Sequence, residues 1–337
     1  MNLNPSSLRD KQKPLGVIDT FSAGISVVMQ HPWLLLLPIL LDLFFWMGPP
    51  ISLEPALVDT VTAPFDPQGP NAAELSQGLA TDLSLFYEGL QSQLRAVNLW
   101  TFLVPAVLFW PTVAAGEPAE AAAEMASGMQ VDSAGTVLLI IVGLSLLGFW
   151  LNMLWLHVVA RGMRDKPLFA KLGELLRNAS RHALRFVGLI LLLLVAFIGV
   201  LVPLSVAVAL VTFLLPGVGQ FLASLVTLGA MWLVLWLGIH FYFTAGAIVL
   251  DDAGIIQSLG NSVRIVRRFF WSAFGFVLLS TLLSTGFQLI WSPMSAASPA
   301  GYATSIIGNA ALGTAIVAAM FIFYKDRVRL VKQEGTP

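Results

Sequence analysis

The sequence predicts an all-α protein, a polytopic transmembrane bundle of six spans built as three repeats of an amphipathic surface helix plus a helical hairpin. Three observations predict it. Apolar residues make up 57% of the chain and charged residues only 11%, whereas a soluble globule carries about 25% charge. Mean hydropathy is +0.82, too apolar for a surface facing water throughout. Six stretches approach the roughly 20 apolar residues that a helix needs to cross a bilayer, and the bases gather between them.

The six stretches are 33–50, 136–160, 186–210, 221–250, 269–291 and 302–324. The first is short, and a thin local bilayer or snorkelling flanks would accommodate it. A seventh apolar run, 97–115, contains Pro105 and Pro111, which break a straight helix.

Charge decides how the chain threads. Seventeen of the 18 Lys and Arg lie at the N-terminus, in 161–185, in 264–268 and in 325–332. The segment 51–135 holds one base, Arg95, against ten acids. Basic residues in short loops stay in the cytoplasm. Six spans put all four clusters on one face, whereas a seventh would carry 161–185 across. The run 97–115 is therefore expected as a re-entrant or surface-lying segment on the outer side. Seventeen bases against eight acids leave +9 inside, and one base against ten acids leaves −9 outside. Only Asp42 falls within a span. Trp33 and Trp46 bracket the first span, and Trp271 and Trp291 the fifth, as expected for rings at headgroup level.

The expected divisions are a cytoplasmic N-terminus with an amphipathic helix (1–32), a first hairpin (33–160) with an acidic extracytoplasmic insertion (51–135), second and third units (161–250 and 251–325), and a cytoplasmic tail (326–337). No small-residue cleavage site follows the early bases, so the start reads as retained. The expected location is a bacterial cytoplasmic (inner) membrane, with both termini cytoplasmic.

The repeat lies in the stretches preceding the odd-numbered spans. Ser26, Ser180 and Ser262 align, and five residues on stand His31, Arg185 and Arg267. Apolar residues recur at helical spacing: Ile18, Phe21, Ile25 and Val28; Phe169, Leu172, Leu176 and Ala179; Ile255, Leu259, Val263 and Val266. Such faces backed by bases lie in the cytoplasmic interface. In the outer segment Leu75, Leu79, Leu83, Phe86, Leu90, Leu94 and Val97 form one stripe, predicting a helix along the outer leaflet or capping the bundle.

In the third repeat, Ile248-Val249-Leu250-Asp251-Asp252-Ala253-Gly254-Ile255, then Ser258-Leu259, Ser262, Val266-Arg267-Arg268 and Phe270-Trp271, form a compound pattern. It resembles the membrane-domain family fused to some glycerophosphoryl diester phosphodiesterases, and its stand-alone six-span bacterial relatives of unassigned function. The resemblance implies structural roles. Asp251 or Asp252 would cap the surface helix, and Arg267 and Arg268 would hold it at phosphate level. No phosphodiesterase domain accompanies these residues, so that activity does not carry over.

Chemistry-bearing patterns are few. The chain has no cysteine, which excludes disulfides, thiolate metal sites and a cysteine nucleophile. Phosphate-binding loops, His-Glu-x-x-His and nucleophile-elbow motifs are missing, so no catalytic residue, metal or cofactor is expected. His31 and His182 lie in the surface stretches, where they would add charge at low pH. The intramembrane candidates are Asp42, Asn152 and His240, each roughly 13–16 Å deep at 1.5 Å per residue. Burying such groups in lipid is costly, which makes them candidates for a polar site. Headgroup candidates are His157, Arg161, Arg181, Arg185, Arg264, Arg267 and Arg268. The stripe Ala311, Ala315 and Ala319 permits close packing, within the chain or as a homodimer seam.

These features predict a non-enzymatic membrane protein that engages anionic lipid, or organises a protein partner in the membrane, through its basic cytoplasmic helices. No nucleic-acid partner is expected. A transporter or channel with its site at Asp42, Asn152 and His240 is the second reading, and a lipid-modifying enzyme the third.

Overall fold

The structure, a computed structural model, describes residues 14–53, 55–63, 66, 77–104, 110–113, 129–164 and 172–334. The fold is all-α apart from one pair of three-residue strands. Among the described residues five helices are long and apolar enough to cross a membrane, or six if one bent pair counts as a span.

Helix α1 (Val17–Gln30) ends at His31, because the ring of Pro32 drives the preceding residue out of the helical region. A short 3-10 turn at Pro32–Leu35 leads into α2 (Leu36–Met47), and the two directions differ by 95°. Strand β1 (Ile51–Leu53), α3 (Pro55–Thr62), α4 (Gln77–Ala96) and β2 (Met129–Val131) belong to the acidic segment. The helix expected from the apolar stripe over 75–97 is thus present as α4. Its Phe86, expected on the apolar stripe, is 54% exposed, and Leu75 lies outside the described residues.

The long helices follow: α5 (Ala134–Gly162), α6 (Leu172–Leu214), α7 (Pro216–Phe241) with the short α8 (Thr244–Asp251), then α9 (Ile255–Arg268), α10 (Phe270–Ala297) and α11 (Pro299–Glu334). Between α6 and α7 the chain reverses at Leu215. Pro216 opens α7 with the backbone angle a first helical turn needs. A Cβ at Gly219 would overlap Thr212, so glycine permits the two helices to meet at the turn.

Surface stretch and span meet differently in the three units. A sharp bend separates α1 from α2, and Phe269 separates α9 from α10. The second stretch has no break, because α6 runs unbroken for 43 residues from the basic region through Pro203. The aligned serines also diverge. Ser26 and Ser180 bond back to carbonyls one turn earlier, whereas Ser262 reaches another helix.

The chain divides into two compact units. The first holds Met1–Leu34, Met153–Phe287 and Ala311–Pro337. Its core is aromatic: Phe243 stacks on Phe323, and Phe21 of α1 stacks on Phe276. Against α11, α1 packs without a gap. A Cβ at Gly24 would overlap the Ala315 carbonyl oxygen and lie 2.9 Å from the Cβ of Ala319. Ala315 and Ala319 are buried, so these two positions of the alanine stripe pack within the chain, the first of the two readings expected for it. The N–H of Leu15 donates to Asp326 Oδ2 at 3.1 Å, and Arg327 Nη2 donates to the Leu15 carbonyl at 3.0 Å.

The second unit holds Leu35–Asn152 and Gln288–Ala310. Here β1 pairs in parallel with β2, Ile51 opposite Met129 and Leu53 opposite Val131. Ile51, Leu99 and Val131 form the core of this region. Trp46 stacks on Tyr302 at 4.7 Å.

Gly24→Val is expected to lower the melting temperature of the detergent-solubilised protein, by an amount equivalent to about 1–3 kcal/mol of overpacking. An unchanged melting curve would mean that α1 does not seat on Ala315 and Ala319.

Candidate functional site

The three intramembrane candidates have different environments. Asp42 is fully buried on α2, where its carboxylate accepts from the Thr112 hydroxyl and, at 3.1 Å, from the Val113 N–H. Position 42 lies five residues before the end of α2, roughly 7.5 Å along it at helical rise, so residues 112–113 run back alongside that part of the helix. The returning run is not helical over 110–113 and has only a 3-10 turn at Leu99–Leu103. Over the described residues 97–104 and 110–113 no spanning helix runs, and the rest of 97–115 lies outside the described residues. A Cβ at Gly148 of α5 would overlap the Leu103 carbonyl, so the bare glycine seats that turn against α5.

Asn152 stands four residues after Gly148 on the same face of α5. It is fully buried, and neither its amide nitrogen nor its oxygen has a hydrogen-bond partner among the described residues. An orphaned polar group of this kind costs about 1–3 kcal/mol.

His240 belongs to the other unit. Its Nδ1 lies 2.8 Å from the Trp236 carbonyl oxygen, and its ring stacks on Trp236 at 3.8 Å. Its own carbonyl accepts from Ser262 Oγ at 2.6 Å, while the N–H of Phe243 donates to that oxygen at 3.2 Å. Ser262 thereby supplies groups that the break between α7 and α8 leaves unbonded. Nothing in the sequence separates this serine from Ser180.

The headgroup candidates also divide. Arg181 Nη2 and Arg185 Nη1 lie 2.7 and 2.5 Å from the Asp252 carboxylate, and His182 Nε2 lies 2.8 Å from it. His157 Nε2 is 2.9 Å from His182 Nδ1. Two arginines and a pair of histidines thus converge on one acid. His182 is buried, which corrects its reading as a surface histidine open to protonation. Asp252 closes α8 in the left-handed conformation, φ 54°, a region that aspartate tolerates better than most residues. It does not cap α9, as the resemblance implied; Gly254 holds that position with no side-chain cap. The hydrogen bond from His182 holds the Asp252 carboxyl below the usual carboxylate range, helped by the bond and charge of Arg185 and the charge of Arg181, against some desolvation.

Arg264, Arg267 and Arg268 are arranged otherwise. All three are exposed on α9, whose opposite side buries Ser258, Ser262, Ile265 and Val266. Ile256 and Trp271 are 80% and 79% exposed beside them. Arg161 is half-buried near the end of α5. A cleft of about 400 Å³ opens along the last turns of α11, lined by Asp251, Tyr324, Lys325, Val328, Arg329 and Lys332 among others. Among the described residues no three His, Asp or Glu side chains group as a metal site.

Helices this apolar, with bases collected at particular helix ends, define a multi-pass all-α membrane protein. Residues 84–327 match a family model described as a domain of unknown function, DUF7847. The chain belongs to that family. The match includes the stretch 248–271 but carries no link to phosphodiesterase membrane domains. No curated protein and no solved structure matches.

Two outcomes follow from these contacts. Asp252 has its carboxyl depressed by folding, so its pairs stabilise the protein above the unfolded value of about pH 4 and are lost as pH falls through the folded value. Melting temperature is expected to decline in that acid range for the natural protein, whereas Asp252→Asn is lower at neutral pH and flatter below it. Superimposable pH profiles would show that the cluster adds no stability. Asp42→Ala removes both acceptors that hold 112–113, and faster amide exchange confined to that segment is the expected readout.

Proposed function

We propose that this is a non-enzymatic protein of the bacterial inner membrane that gathers anionic lipid at its cytoplasmic face through basic surface helices, α9 above all. The single observation that carries this reading is the outer side of α9. Arg264, Arg267 and Arg268 stand exposed beside exposed Ile256 and Trp271, at the entrance to a spanning helix. Apolar and indole groups sink to the acyl boundary while guanidinium groups meet phosphates. Arg181 and Arg185 are committed to Asp252, so the headgroup role expected of them falls to α9.

Threading is supported by the clasp at Leu15. Chain ends bonded to each other lie on one side of a membrane, so the segment between them crosses an even number of times. Five long helices fit that only if α2 supplies a sixth crossing. With its 3-10 turn, α2 reaches roughly 24 Å at helical rise, short of the 30 Å core, and the returning outer segment meets its end. The positive-inside rule then favours the cytoplasm for the basic side.

Each arginine near an anionic surface is worth about 1 kcal/mol, so three contribute about a hundredfold at low salt. In nanodiscs of mixed phosphatidylglycerol and phosphatidylcholine, the natural protein is expected to enrich the anionic lipid around it, and raised salt to weaken that enrichment. The variant Arg264→Gln/Arg267→Gln/Arg268→Gln is expected to lose most of it. An identical lipid shell for both proteins would overturn the reading.

A second reading, a polar passage for a small solute or proton, is favoured by the orphaned amide of Asn152. Replacing an unsatisfied buried amide by an apolar group of similar shape is neutral or stabilising. Asn152→Leu is therefore expected to melt at or above the natural protein while abolishing any flux into liposomes. Unchanged flux would remove this reading.

A further inference from the structure

Where α5, α6 and α8 meet, three protonatable side chains are joined end to end. His157 Nε2 on α5 lies 2.9 Å from His182 Nδ1 on α6, and His182 Nε2 lies 2.8 Å from Asp252 Oδ1 at the close of α8. The two imidazoles stack with ring centres 4.8 Å apart and planes 27° from parallel. His182, the middle member, is 2% exposed. It is a buried ring with both nitrogens engaged, one by another imidazole and one by an acid.

Such a pair counts protons. A neutral imidazole has one N–H donor and one bare acceptor nitrogen, whereas an imidazolium has two donors and no acceptor. The contact between the two rings is therefore a hydrogen bond only while one of its nitrogens is bare. With both rings neutral, His157 Nε2–H donates to His182 Nδ1, and His182 Nε2–H donates to Asp252. One added proton on His157 Nδ1 leaves both bonds in place. Transfer of the bridging proton from His157 Nε2 to His182 Nδ1 then moves the charge next to the Asp252 carboxylate. A second added proton sets N–H against N–H, and the bond between the rings is lost.

Charge around the pair sets how many protons it accepts. Arg161 and Arg164 face it from the end of α5 and just beyond, Arg181 and Arg185 from α6, and Asp252 from the close of α8. The two arginines of α6 are held on the Asp252 carboxylate at 2.7 and 2.5 Å. One added charge beside that carboxylate has a counterion. A second, among four guanidinium groups, is opposed by like charge and by burial.

We infer that His157 and His182, with Asp252 as counterion, form a proton-binding site that takes up one proton with α5 and α6 fastened together, and that a second proton parts them. The site goes beyond the lipid reading and stands whether or not α9 gathers lipid. Parted rings can take two protons and the fastened pair only one, so acid favours parting. The effect sets in below about pH 6.5, the ordinary histidine value. Each further unit of acid shifts the ratio by up to about tenfold for the one extra proton. Above about pH 5 the Asp252 carboxyl, held below the usual carboxylate range, stays charged, so a loss in that window belongs to the histidines.

The chain has four histidines, so nitrogen-15 NMR of the full-length, histidine-labelled protein in detergent can follow each ring. A through-bond coupling between His157 Nε2 and His182 Nδ1 is expected near neutral pH, with the two rings titrating as a linked pair. No coupling, with each ring titrating independently, would overturn the site; this readout needs no variant. His157→Gln puts an amide N–H in reach of His182 Nδ1 but does not titrate. Between about pH 7 and pH 5 the melting temperature of the natural protein is expected to fall, while that of His157→Gln stays nearly level, whatever its value at neutral pH. Parallel declines in the two proteins would overturn the parting by a second proton.

Discussion

Leu15 gives its backbone N–H to the Asp326 carboxylate and takes a bond from the Arg327 guanidinium on its carbonyl. Two backbone bonds thus join positions 312 residues apart in sequence. The acid and base also bond each other at 2.6 Å, and Arg327 lies over the rings of Phe323 and Phe269. Removing both charges from water costs several kcal/mol each unless each finds partners. Here the backbone of one chain end, the aromatic faces and the mutual pair supply them. Much else follows from that join. It brings α1 alongside α11, where Gly24 meets Ala315.

A single acid also organises the other basic region. Asp252 accepts from Arg181, Arg185 and His182, and it can do so because its left-handed backbone closes α8 just where α6 passes. The cost is that these bases are turned inward toward protein. A tally of bases in 161–185 therefore overstates how much positive charge that region presents at its surface.

Hydropathy made the class and most spans legible, because a run of apolar side chains has few alternatives to crossing lipid. The predicted 136–160 lies inside α5 and 302–324 inside α11, with each helix running on beyond the apolar run. Breaks were harder to read. The predicted 221–250 lies inside one candidate span, 217–251, but nothing local marks the turn at Tyr242 and Phe243 within it; the bond to Ser262 that supports the turn comes from 19 residues away. The place of Asp42 within an apolar run was legible, but its partners were not. Thr112 and Val113 lie some 70 residues on in sequence, and periodicity within a helix carries no information about such a pair. His182 failed for the same reason. Its neighbours in sequence are basic and polar, while the residues that bury it are His157 and Asp252.

The strands β1 and β2 stand at the entrance and exit of the acidic segment and run parallel. An antiparallel pair is closed by two residues, whereas a parallel pair needs a crossover of a dozen or more to bring the chain round to the same direction. The segment between the two strands consequently has a minimum size set by geometry. Above that minimum, closure entropy rises only about 0.6 kcal/mol per doubling of length, so the fold tolerates growth there far more easily than trimming to a tight turn.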